Sequence, residues 1–117
     1  MEFTKIELAV LDWIATHSTS PELQDQLCNA QPIERQFTGK GSYTMLKVLG
    51  VHGRLPKFTP PDYPNGPVHG PEIRSPEIEI GACSLLWLED GYVDCLELAA
   101  YGDSFPEEVE SFSLQKD

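Results

Sequence analysis

The stretch IEIGACSLLWLEDGYVDCLEL, residues 78–98, decides the fold class of this chain. IEI, ACSLLWL and YVDCLEL are rich in strand formers, and Glu89-Asp90-Gly91 is a turn signal joining the second run to the third. Gly81 is expected to break the first strand from the second, since glycine weakens a strand interior. ACSLLWL is apolar on both faces, so it reads as the central strand, covered by helices on one side.

Upstream, IERQF (33–37) and SYTMLKVL (42–49) flank Gly39-Lys40-Gly41 and predict a β-hairpin beginning near Pro32. Between 56 and 76 lie seven of the ten prolines, a density that opposes helix and central strand, so this segment reads as a loop. At the N-terminus Phe3, Ile6, Val10, Trp13 and Ile14 recur at helical spacing. Thr4 followed by Glu7 is a capping box that starts this helix near residue 4. Ser20-Pro21-Glu22 combines a capping serine, a first-turn proline and an acid, which predicts a second helix over 21–29 burying Leu23 and Leu27. Downstream, Gly102-Asp103 and Pro106 predict turns, and a short edge strand is expected around Phe112. The expectation is an α+β fold: two N-terminal helices packed on a mainly antiparallel five- to six-stranded sheet. It occupies 1–117 as a single domain, with helices about 4–29, sheet about 32–114 and the proline-rich loop 56–76.

Composition narrows the function classes. With 40% apolar and 23% charged residues the chain belongs among folding sequences despite a net charge of −11. No apolar run approaches the roughly 20 residues of a membrane span, and MEFTKIELAV lacks a basic leader region. The expected location is cytoplasmic. Residues 1–71 hold seven acids and six bases, whereas 72–117 hold twelve acids against Arg74 and Lys116, so nearly all the negative charge lies in the C-terminal part. Such a field repels nucleic acid and anionic membranes, and attracts a basic protein. The alternative is that an acidic surface serves solubility alone.

Cys28, Cys83 and Cys95 form no CxxC pair, and an odd number leaves one thiol over, which points to reduced thiols. With a two-residue Asp90-Gly91 loop, Cys83 sits opposite Leu98 and Cys95 opposite Leu86, on opposite faces of the sheet. A three-residue loop places the thiols on one face at a diagonal of about 7 Å or more, still outside comfortable disulfide reach.

Gly39-Lys40-Gly41-Ser42 echoes a phosphate-binding loop and fails its requirements. Glu34 stands where the first glycine belongs, Gly41 where Ser or Thr should follow the lysine, and strand follows strand. The histidines at 17, 52 and 69 are scattered, and no metal or cofactor motif is present. His52 and His69 border the proline-rich loop, where Glu72 or Glu77 would have to complete any two-histidine site. Glu97 lies between Leu96 and Leu98. Buried, it would be a base with a raised pKa; by strand alternation it faces away from the core. Trp13 and Trp87 are expected in the core, while Tyr63, Tyr101 and Phe105 either join the acids at a surface or fold inward.

The run from Pro76 to Glu108, with Gly81, Asp90-Gly91, Leu96-Glu97, Tyr101-Gly102 and Phe105-Pro106 in order, resembles the end of a group of small, mostly uncharacterised bacterial proteins. RQFTGKGSYT, residues 35–44, fits the same pattern. The general look, small and acidic without catalytic signatures, is similar to that of immunity proteins that neutralise bacterial toxins. The resemblance implies an interaction protein and brings no enzyme chemistry.

Two functions are thus expected in competition. In the first, Asp90, Asp94, Tyr101, Asp103, Phe105, Glu107 and Glu108 form an acidic, aromatic face that docks a basic partner, the chain itself being a monomer or weak homodimer. In the second, His52, His69 and Glu97 act on a small molecule in a pocket beside the proline-rich loop.

Overall fold

The computed structural model describes residues 1–50 and 66–116. Helix α1 spans Lys5–His17 and α2 spans Pro21–Cys28. Among the described residues seven strands follow: β1 Ala30–Phe37, β2 Gly41–Val48, β3 Gly66–His69, β4 Glu72–Ser75, β5 Ile78–Glu89, β6 Tyr92–Ala100 and β7 Ser113–Gln115. The α+β class and the two N-terminal helices match the expectation, with one strand more in the sheet than foreseen.

Both helices begin where their caps dictate. Thr4 Oγ1 accepts the Glu7 amide at 3.3 Å while Glu7 Oε1 accepts the Thr4 amide at 2.8 Å, and Ser20 Oγ accepts the Leu23 amide at 3.1 Å. Helix α1 buries Ile6, Val10, Leu11 and Ile14, and α2 buries Leu23.

The strands form one antiparallel sheet in the order β1-β2-β6-β5-β4-β7, with β3 also paired to β5. Residues 78–80 and 82–88 belong to a single twelve-residue strand rather than two, because the chain accommodates Ile80 (φ 69°) and Gly81 (φ 95°) as an irregularity instead of a break. The proline-rich segment also departs from expectation, since it contains β3 and β4. Among the described residues β3 pairs with β5 alone, and proline is tolerated on the side of an edge strand where no ladder needs its N–H. The prolines at 56, 60, 61 and 64 lie outside the described residues.

Strand alternation assigns the faces. Ser42, Thr44 and Leu46 of β2, Ala82, Ser84, Leu86 and Leu88 of β5, Leu96 and Leu98 of β6, and Ile73 of β4 are all buried and turned toward the helices. The tail closes one end of this core: Phe105 and Val109 are buried in it, and the Phe105 amide donates to the Gly39 carbonyl at 2.9 Å. Glu77 holds the tail by accepting the Glu110 and Ser111 amides at 3.0 and 2.9 Å.

Candidate functional site: the sheet face opposite the helices

With both helices on one side, the opposite face of the sheet presents Tyr43, Met45, Cys83, Leu85, Trp87, Cys95 and Glu97 on its three middle strands. Tyr43 is 41% exposed and Trp87 37%, although Trp87 was expected in the core. The correction has a simple cause. Leu86 and Leu88 occupy the helix side, so their intervening neighbour must point the other way.

The centre of this face is a three-residue cluster. Tyr43 lies directly across from Glu97, and Leu85 flanks Glu97 on the other side, which makes a row over β2, β6 and β5. Trp87 pairs with Cys95, two positions along, and its indole reaches back to donate Nε1–H to Glu97 Oε1 at 2.9 Å. The Tyr43 hydroxyl also bonds the Glu97 carboxylate, and that nearby negative charge, followed by the bond itself, raises the Tyr43 pKa. Glu97 is therefore half-buried and turned away from Leu96 and Leu98, as alternation predicts.

Beneath the cluster, Cys95 is 7% exposed. Burial, then the charges of Asp94 and Glu97, push its thiol up to about 11, so it is no thiolate nucleophile at neutral pH. None of the three cysteines is joined in a disulfide. Cys83 and Cys95 share this face, contrary to the two-residue-loop register, because a bulge near Asp94 shifts the pairing between Trp87 and Leu88. Cys83 pairs with Ala99 and Cys95 with Trp87, about 13 Å apart along the strands, far outside disulfide reach.

The acidic residues singled out from sequence divide between the two ends of β6. Asp90 occupies the β5–β6 turn and Asp94 the bulge, whereas Tyr101 and Asp103 follow the far end of the strand. The nine residues of β6, about 30 Å of strand, separate Asp90 from Tyr101 and Asp103, and Asp94 stands about 23 Å from Tyr101 along it. Tyr101 is exposed and donates its hydroxyl to Glu72 Oε1 at 2.7 Å. Phe105 takes the inward alternative and packs in the core, flanked by exposed Glu107 and Glu108.

Of the alternative pocket, His52 and Tyr63 lie outside the described residues. His69 pairs with Leu85, two strands or about 10 Å from Glu97 at the backbone. It lines a cleft of about 380 Å³ together with Trp13, His17 and Lys116 rather than with Glu97. Among the described residues, no group of three or more His, Cys, Asp and Glu side chains is placed to hold a metal ion. No helix among them is long and apolar enough to cross a membrane.

Sequence reasoning missed the Tyr43–Glu97–Trp87 cluster, since these residues come from three strands whose register is set by the bulge. A partial signal existed in Glu97, which interrupts an apolar pattern between Leu96 and Leu98. Set against protein-family models, curated proteins and solved structures, the chain matches none of them.

Proposed function

We propose that the chain is an acidic interaction protein of a reducing, cytoplasmic setting that docks a basic protein on the sheet face opposite its helices, in the manner of an immunity protein. The observation that carries this reading is the exposure of Tyr43 and Trp87 at the centre of a sheet face that neither helix covers. Aromatic anchors inside a polar rim are the usual composition of a binding hot spot. Asp90 and Asp94 at one end and Asp103 at the other supply the acidic rim, within a chain of net charge −11. Their field accelerates encounter with a basic surface, and the aromatic centre slows dissociation. The same charge opposes pairing of this face with a copy of itself. Three cysteines without a disulfide support a reducing compartment.

The test is capture from host lysate at low and moderate salt with tagged wild type, a Trp87→Ala variant and an Asp90→Lys/Asp94→Lys variant. A basic protein retained by wild type, released by salt and lost by both variants is the expected result. Equal capture by all three proteins would reject this face as the docking surface.

A further inference from the structure

We infer that the Tyr43–Glu97–Trp87 cluster is the receptor for an arginine side chain of the partner, an inference that rests on the docking reading above and names what that face recognises. Among the described residues the ion pairs are Glu7–Arg35 and Glu72–Arg74, so Glu97 has no basic partner there. The Glu97 carboxylate is half-buried, paired with Tyr43 and Leu85 and two positions along from Met45 and Cys95, and a cation brought to a half-buried carboxylate is worth more than one met at an open surface.

The geometry of the cluster selects the kind of cation. Trp87 Nε1–H and the Tyr43 hydroxyl together occupy part of the Glu97 carboxylate and hold it in place. A carboxylate offers about four acceptor positions, so these two donors leave room for two more. A guanidinium supplies two parallel N–H donors in one plane, matching a fixed carboxylate, whereas an ammonium is a point donor. The indole reaches from the level of Cys95 to the level of Glu97, which lays it along the sheet beside the carboxylate. A guanidinium bound to Glu97 then meets aromatic rings on two sides, and it is the cation that stacks on such rings with the smaller loss of hydration.

The surrounding charges agree with this assignment. On the same face Lys47 lies on β2 beyond Met45, and Arg74 on β4 is engaged with Glu72 at 2.9 Å. Neither is bonded to Glu97. Asp94 adds negative charge one strand position beyond Cys95.

The experiment uses a hexa-arginine peptide and a hexa-lysine peptide as probes, titrated at low salt into the ¹⁵N-labelled full chain. The Trp87 indole Nε1–H is the reporter and the Trp13 indole the internal control. The arginine peptide should shift the Trp87 signal saturably and bind about 10-fold tighter than the lysine peptide. Glu97→Gln, which keeps the shape and an acceptor, should weaken arginine-peptide binding about 10-fold and erase the preference over lysine. Two results would overturn the inference: equal affinity for both peptides, or shifts confined to residues around Asp90 and Asp103 with the Trp87 indole unmoved. In that second case the docking reading survives. If neither peptide moves any resonance, the docking reading fails and this inference fails with it.

Discussion

Glu7 shows how one residue acquires a second role that its local sequence does not announce. The capping box was legible because Thr4 and Glu7 are three positions apart, but the same carboxylate is 1% exposed and bound by Arg35 from β1 and by Thr44 Oγ1 from β2. Burial alone would raise its pKa; the bonds from Arg35, Thr44 and the Thr4 amide outweigh burial and bring it below the ordinary value of 4.5. A carboxyl with a depressed folded-state pKa stabilises the fold fully above its unfolded pKa. That contribution disappears as pH falls through the folded value. Urea unfolding between pH 7 and pH 3 should therefore show an acid loss of stability that is diminished in Glu7→Gln. Arg35→Met leaves the buried carboxylate without its cation and should cost about 3 kcal/mol at pH 7, measured in the same way. Gly41 was read only as turn chemistry, yet an added Cβ would stand 1.8 Å from the Leu98 carbonyl oxygen. Only the pairing of β2 with β6 creates that constraint.

Among the elements, the β5–β6 hairpin was the most legible, and its register the least. Asp90 (φ 52°) and Gly91 (φ 83°) both adopt left-handed conformations, as an Asp-Gly turn between right-twisted strands requires. Gly91→Ala should cost about 1–2 kcal/mol, since a Cβ opposes that backbone conformation, and thermal unfolding will read the loss. The bulge near Asp94 was invisible because α2 takes part in holding it. Gln26, wholly buried, donates to the Gly91 carbonyl at 3.0 Å and accepts the Val93 amide at 2.9 Å. Gln26→Ala would leave both backbone groups buried without that partner. Its expected cost is about 1–3 kcal/mol, with accelerated hydrogen exchange at Val93 as the distinguishing observation. Through this bulge α2 determines which side of β6 the residues beyond Asp94 face, and hence that Glu97 stands beside Tyr43 and Trp87.

For the whole molecule, the tail after the last long strand is part of the core rather than an appendage. Phe105 and Val109 are buried, Lys5 Nζ of α1 donates to the Glu110 carbonyl at 2.9 Å, and β7 pairs with β4. Truncation after Tyr101 should remove about 3–6 kcal/mol of apolar burial and expose a surface that binds a hydrophobic dye, checked by calorimetry and fluorescence. The sequence by itself determined the two helices, their caps, the hairpin turns, the antiparallel sheet and the concentration of acid in the C-terminal part. All of these follow from local spacing, turn chemistry or composition, which act over a few residues or over none in particular. The tertiary structure alone decided that Phe105 faces inward, and it alone decided that Trp87 faces outward and that Tyr43, Glu97 and Trp87 meet. Those outcomes depend on strand register, and in a lattice of period two a one-residue bulge, held here by a glutamine from a helix about 65 positions away in the chain, reverses which side chains share a face.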